Sequence, residues 1–590
     1  MKPRRIVTLS AAVAALMLVS AACGTASPPN PASSTVPSSS AASTAGNSET
    51  SSPGGYTYDT TPVTLTILGQ DFALASNGVQ KDPVAEQIRK VTGITLNVTG
   101  IDDPTALTNK ISAEMASDSL EDIVYMPSNT VSNNAIGANR LADLTDLVSQ
   151  YAPIFTSNAK LAWNVSYAKK YLSNDTGRLY IVPAYTGLQN RPNAPVLASF
   201  TRWDYYKGMG YPAVTDKMSW LDVLTQMQKA HPTGSDGKPS YAVSFGTDWG
   251  SWFPVYACWI DGYYTNIAEP LQVDISNNNV TSLYTDPNSD FWSWMKFYNK
   301  ASQTGELDPN SSTQTVADSE AMVTNGNVMA YIESWNSFKT ADADQGYAIL
   351  NINPDSDKYY YNSGTAGSSW IYSIAANSKN VDRALELFQY LASPEGCEVA
   401  NNGVEGQAWT VGGDNKPVFT AQYLADGKTM DSTAYIEAYG AQRYKSMCAF
   451  ASGETDPNYN CPYDFSGAAW NIAANSTNMQ NDAAQKAGET FNAQKLSQLK
   501  FSSYMVVPGL PPLSTDLNTI STNSTNYINQ NWVQVIMSKT DADFTAAQTK
   551  FISDLDALGF ETLYNKDKSD FESGLADLQS LGTNPWTSGS

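Results

Sequence analysis

Histidine occurs once in the 590 residues, at His231. A zinc site built on imidazoles, or an acyl-transfer triad with a histidine base, would have to form around that one side chain. It stands beside Pro232 at the end of a helical stretch, where a solvated helix-end residue is expected. GxSxG, HExxH, the P-loop and the dinucleotide fingerprint are also missing, so the chain carries no recognisable machinery for nucleotide hydrolysis or hydride transfer. Paired carboxylates leave no sequence signature, and Asp plus Glu number 57. A secreted carbohydrate-active enzyme therefore stays open as an alternative.

Positive charge is scarce: 35 Lys and Arg against 57 acids, a net charge of -22. Counterion-release binding needs clustered Lys and Arg, so nucleic acid and anionic membrane surfaces are excluded as partners. Charged residues make up only 16%, below the ~25% usual for globular domains. Asn, Ser, Thr and Tyr replace them, a polar but weakly charged surface suited to neutral ligands. Cysteine is sparse too, with Cys258, Cys397, Cys448 and Cys461 following Cys23 and no CxxC among them. Their scatter does not match a zinc site. In an oxidising compartment Cys448 and Cys461 close a short loop and are expected to pair, free buried thiols being the alternative.

No stretch beyond the first two dozen residues is apolar enough to span a bilayer. Lys2, Arg4 and Arg5 precede an apolar run from Ile6 to Val19, and small residues then lead to Cys23. These are the three regions of a signal peptide, residues 1–22. Ser20-Ala-Ala-Cys23 resembles the bacterial lipobox, with Ser20 standing where a branched apolar residue is commoner. Cys23 is accordingly the expected lipid attachment point, anchoring the protein to the cell membrane on its outer side. Residues 23–57 are mostly Ser, Ala, Thr, Pro and Gly and read as a flexible linker.

The remaining chain, over 500 residues, is long enough for two or more domains. Val63–Leu68 alternates like a half-buried strand, and Asp82-Pro83 opens a helix with Val84, Ile88 and Val91 on one face before Gly93. Ile94–Val98, Asp122–Met126 and Leu179–Val182 read as strands and Ile111–Met115 as helix. The alternation restarts after residue 200: Ser219-Trp-Leu-Asp222 reads as a capping box, and Tyr241–Phe245 as a strand. Phe544–Leu558 is helical. Strands alternating with helices imply an α/β sheet with ligands at the strand carboxyl ends, and here two such lobes.

Several segments, in order, resemble the type 1 extracellular solute-binding lipoproteins, notably the long Gram-positive subgroup of carbohydrate importer receptors. They are Lys90–Gly93, Ser119–Tyr125, Leu141–Leu147, Gly177–Pro183, Asn325–Ala330, Val381–Phe388 with Ser393–Gly396, Gly403–Thr410 and Leu558–Tyr564. The resemblance implies a type II periplasmic-binding-protein-like fold, two discontinuous α/β lobes joined by a hinge. One lobe is placed at 58–190 plus 364–400, the other at 191–363 plus 401–590. It further implies a monomer that binds a carbohydrate, without cofactor or turnover, and delivers it to ABC permease subunits; a peptide or other polar solute is the alternative ligand. ATP hydrolysis would belong to the partner. Long relatives often carry a calcium loop after the helix corresponding to residues 219–230. Thr233–Lys238 is too short and too poor in carboxylates for one, so no metal is expected there.

A sugar ring offers an apolar C–H face to indole or phenol, while its hydroxyls need fixed polar partners. Candidate contacts are therefore aromatics and planar polar residues in loops after strands. Asp248, Trp249 and Trp252 follow the strand at 241–245, and Glu333, Trp335 and Asn336 follow a strand at 328–332. Ser128 and Asn129 follow the strand at 122–126. Trp370 stands near a crossing between lobes; Asp71, Glu405 and Trp409 complete the set, with Arg443 as a further possible cleft group. Core packing is the competing reading for each indole. Trp220, Trp292, Trp294 and Trp532 fall in helical patterns and are expected in the core, and Arg202-Trp-Asp204 is expected to be hinge structure.

Overall fold

The computed structural model describes residues 55–70, 77–187, 195, 197–334, 342–356, 358–360, 370–496 and 513–586. The expected positions Cys23, Asp71, Trp335 and Asn336 lie outside them. In chain order the strands that build the two main sheets are β1 (Val63–Gly69), β2 (Gly78–Val79), β3 (Ile94–Gly100), β4 (Ile123–Tyr125), β5 (Ile181–Ala184) and β6 (Leu197–Arg202). A small three-stranded sheet of β7 (Tyr263–Thr265), β8 (Leu271–Asp274) and β9 (Val280–Ser282) precedes β10 (Ala330–Glu333), β11 (Tyr347–Ile349) and β12 (Trp370–Ile374).

The first lobe is built on a six-stranded sheet in the order β2-β3-β1-β4-β12-β5. β1 runs parallel to β3 and β4, and β12 runs antiparallel to β4 and β5. The helix Pro83–Thr92 starts where Asp82 accepts the backbone N–H groups of Val84 and Ala85, has proline in its first turn and ends at Gly93, as its sequence predicts. Val84, Ile88 and Thr92 are buried on its inner face, and Val91 is half-buried.

The second lobe carries the sheet β10-β6-β11, with β6 antiparallel to both neighbours. The segment 241–243 continues that sheet through parallel bridges from Tyr241 to Val328 and from Val243 to Leu307. Its helix begins earlier than expected. Asp216, not Ser219, is the N-cap of Lys217–Ala230, and Ser219 is the third helical residue of a capping box. An aspartate three residues before a serine satisfies the same reciprocal geometry, which the 219–222 pattern mimicked. His231 ends the helix, stacked on Tyr205 with ring centroids 3.6 Å apart. Trp220, Trp292, Trp294 and Trp532 are all buried in this lobe's core. In the segment Arg202-Trp-Asp204, Arg202 is buried at the far end of β6, held by Asp204 at 2.6 Å and by the Gly326 carbonyl at 2.7 Å.

Residues 401–590 do not join the second lobe as one block. Tyr444, Met447, Cys448, Phe450 and Tyr463 pack into the first lobe's core, Met479 to Leu563 supply the second, and Ala408, Trp409, Phe465 and their neighbours form a third, small cluster. This excursion also settles the thiols. All four described cysteines are free and buried. Cys448 lies in the first-lobe core with Cys397, whereas Cys461 belongs to the small cluster, so the expected Cys448–Cys461 bridge is not formed.

Candidate functional site

The strand directions place two sets of loops. In the first lobe the carboxyl ends of β1, β3, β4 and β5 share one edge, and β12 begins there because it runs the other way. Trp370 stands at that edge, half-buried, with its ring 4.9 Å from Tyr125 at the end of β4. In the second lobe the equivalent edge holds the end of β10 at Glu333, the end of β11 at Ile349 and the start of β6 at Leu197. Ligands of open α/β sheets bind outside such carboxyl ends.

The segment Tyr241–Phe245 leads to the same edge. Gly246 passes so close to the helix starting at Val316 that a Cβ there would stand 2.1 Å from the Val316 nitrogen. That approach lets Asp248 Oδ1 accept the Val316 N–H at 2.7 Å, so this carboxylate is committed to a helix N-terminus. The chain then turns outward. Trp249 is 42% exposed and sits edge-on to Trp252 at 5.6 Å. Trp252 opens the helix Trp252–Ala257 and contacts Tyr256, one turn on, at 5.0 Å. Tyr256 meets Trp259 at 5.1 Å, Trp259 meets Tyr360 at 4.7 Å, and Tyr360 meets Tyr264 at 5.5 Å. A row of rings thus runs from solvent at Trp249 to the buried Trp259 beside Leu197. Tyr125, Tyr256, Tyr264 and Tyr360 were not anticipated; the four-residue spacing of Trp252 and Tyr256 within one helix was the available signal for Tyr256.

A cavity of about 570 Å³ opens on the β6 face carrying Phe200. Phe200, Ile349 and Phe419 give it apolar walls, and the carboxamides of Asn401, Gln442, Asn471, Asn475, Gln480 and Asn492 give it polar ones. Asp464 is the one acid among its described lining residues. A neighbouring cavity of about 500 Å³ shares Phe200 and Ser334 and reaches Glu333. Glu333 is 3% exposed. Burial, and next its carboxylate, push the Tyr331 and Tyr298 phenols well above their usual value.

Other expected contacts fall elsewhere. Ser128 caps the helix Asn129–Gly137 through the Val131 N–H, and both Ser128 and Asn129 are exposed after β4. Trp409 is 2% exposed and donates its indole N–H to the Gly403 carbonyl at 2.9 Å, so it packs the small cluster and offers no platform. Glu405 is exposed and bridges to Trp409 through the backbone. Arg443 is buried against Asp82 at 3.1 Å and is no cleft group. Among the described residues no three His, Cys, Asp or Glu side chains gather as a metal cluster, and no helix is long and apolar enough to cross a membrane.

A sequence model described as bacterial extracellular solute-binding protein matches residues 75–396. No curated protein matches the chain. Among solved structures, an HMO-binding, ABC-transporter-associated solute-binding protein from Bifidobacterium longum infantis is similar, with TM-score 0.56 and 15% identity over 89% of this chain and 99% of that one. An extracellular solute-binding protein from Bifidobacterium longum subsp. infantis gives TM-score 0.58 and 14% identity over 89% and 100% of the two chains. The S. pneumoniae ABC-transporter substrate-binding protein FusA in complex with kestose gives 0.54 and 13% over 87% and 100%. At these identities the likeness is one of fold.

Proposed function

The chain belongs to the bacterial extracellular solute-binding protein family, and from that premise we propose that it captures a carbohydrate, a neutral oligosaccharide, between its lobes and hands it to the permease subunits of an ABC importer. The observation that carries this reading is the aromatic row from Trp249 to Tyr264 at the carboxyl edge of the second sheet. Faces of indole and phenol suit the C–H faces of pyranose or furanose rings; the exposed Trp249 and the half-buried Trp252, Tyr256 and Tyr264 can offer them, while Trp259 and Tyr360 are buried and back the row. The adjacent cavity is lined largely by uncharged side chains, among them Asn475 and Gln480 at its surface. Solved relatives of the same fold named for HMO and kestose support the same ligand class. The protein acts by binding and lobe closure, as a monomer and without turnover. The net charge of -22 disfavours polyanionic glycans.

Titrating the mature protein with a panel of neutral oligosaccharides should quench or shift its tryptophan emission and give saturable heats, with the sugar recovered intact. Binding confined to peptides would redirect the ligand class, and release of shortened sugars would identify an enzyme.

The proposal includes removal of residues 1–22 and lipid attachment at Cys23. Cys23→Ala should shift the protein from the membrane fraction to the medium, as seen by immunoblotting of both. Continued membrane association of that variant would count against a lipid anchor.

A further inference from the structure

Two thiols distant in sequence meet in the first-lobe core. Cys397 lies on the helix Pro394–Asn402, and Cys448 follows the short turn Lys445–Met447, which packs on that helix. Both side chains are fully buried and stand within hydrogen-bonding reach of one another. Hydrogen bonds at one backbone oxygen fix the same meeting point. The Leu391 carbonyl accepts the Cys397 thiol at 3.1 Å and the N–H of Ala449, the residue after Cys448, at 3.3 Å. The other two described cysteines lie elsewhere, Cys258 in the second-lobe core and Cys461 in the small cluster. The fold therefore selects a single pair.

This core can lose both S–H groups without harm. If Cys397 no longer donates, the Leu391 oxygen still holds the Ala449 N–H, so no buried acceptor is stranded. The structure holds the two residues as thiols, but the family is extracellular, and disulfides persist in oxidising surroundings outside the cytoplasm.

We propose that Cys397 and Cys448 become joined by a disulfide in the exported protein. The oxidant is a disulfide-bearing thiol oxidant met outside the cytoplasm. One cysteine thiolate attacks it to give a mixed disulfide, and the second displaces the oxidant, which leaves with both electrons and both protons as a dithiol. Burial, and next the adjacent Cys448, push the Cys397 thiol well above its usual value, so the finished core holds no ready thiolate. The bond accordingly forms during folding, before residues 440–450 close over the helix.

The consequence is local to the cleft edge. The segment from Cys448 pairs with the chain leaving β5: the Cys448 carbonyl accepts the Tyr185 N–H at 2.5 Å, the Ala449 carbonyl accepts the Thr186 N–H at 2.9 Å, and Thr186 in turn accepts the Ala451 N–H at 2.9 Å. A Cys397–Cys448 bond would tie this pairing covalently to the helix Pro394–Asn402.

The test starts from the full protein purified from the outside of producing cells, alkylated with iodoacetamide in denaturant without reductant, and digested. Mass mapping should find one peptide pair linked through Cys397 and Cys448, with Cys258 and Cys461 alkylated. Dithiothreitol should lower the melting temperature of this protein by several degrees, on the order of 5 °C for a closed loop of about 50 residues. Cys397→Ala and Cys448→Ala should each melt at a temperature that dithiothreitol leaves unchanged. Recovery of Cys397 and Cys448 as alkylated thiols from the wild type overturns the proposal, whatever the variants do. A link from either residue to Cys258, to Cys461 or to a second copy of the chain overturns it as well. So does an equal response to dithiothreitol in the wild type and both variants.

Discussion

Arg443→Met should destabilise the first lobe by about 3–5 kcal/mol, the cost of leaving a buried charge without its partner. The Arg443 and Asp82 side chains are 4% and 1% exposed and meet at 3.1 Å, although 361 residues separate them in sequence. Asp82 is already occupied: its other oxygen caps the helix Pro83–Thr92, and Tyr444 donates its hydroxyl to the oxygen that Arg443 also approaches. The chain reaches this spot through Gly440, in the left-handed region at φ 68, where a Cβ would stand 2.2 Å from Asp82 Oδ1. Methionine fills the arginine's volume, so the loss reports charge and hydrogen bonding more than a cavity. Urea unfolding should show it as a lower midpoint. Adding Asp82→Asn, which still caps a helix, should recover part of the loss, because it removes the stranded charge. A change under about 1 kcal/mol in Arg443→Met would mean that the pair does not hold the 440–450 segment to the first lobe.

That pair also shows where the sequence could be read and where it could not. The first lobe's strands were legible because each is a local pattern: alternation in Val63–Gly69, an apolar run in Ile181–Ala184, and a helix between cap and glycine in Pro83–Thr92. The return of residues 444–450 to the first-lobe core was not, since it rests on contacts between residues far apart in sequence, such as Arg443 with Asp82 across 361 positions and Tyr372 with Ser446, and on backbone that is mostly irregular. The cysteines failed for the same reason: Cys448 and Cys461 are near in sequence, but the chain sends them into different clusters. Of the candidate site, the Trp249–Trp252 loop was legible from a strand followed by glycine and aromatics. Trp409 was not, because a Trp opening a β-hairpin packs inward or outward according to a third cluster with no periodic signature. Asp248 had the right type and place, yet its oxygen went to the nearest free backbone donor, the start of the helix at Val316.

Trp249→Ala should weaken binding of the oligosaccharide selected from the panel by roughly 30-fold, on the order of 2 kcal/mol, while leaving the melting temperature of the free protein nearly unchanged. The two effects separate because Trp249 is 42% exposed, so its removal opens little buried space. Trp252 is the internal contrast. It packs on Phe253 at 5.2 Å and on Tyr256 at 5.0 Å, joining the second-lobe core to the aromatic row. Trp252→Ala should therefore lower affinity and stability together, the latter by up to about 3–5 kcal/mol if the gap does not collapse. Trp249→Phe should keep part of the affinity, since a smaller ring still covers a sugar face, whereas a hydrogen bond from the indole N–H would be lost completely. Calorimetric titration and melting of the three variants distinguish these cases. Unchanged affinity in Trp249→Ala would remove the exposed end of the row from the site. Unchanged affinity in Trp252→Ala as well, with its melting temperature collapsed, would make the row core packing and move the ligand to the cavity on the opposite face of β6, where Asn475→Leu, at an exposed lining position, would then be the substitution to weaken binding.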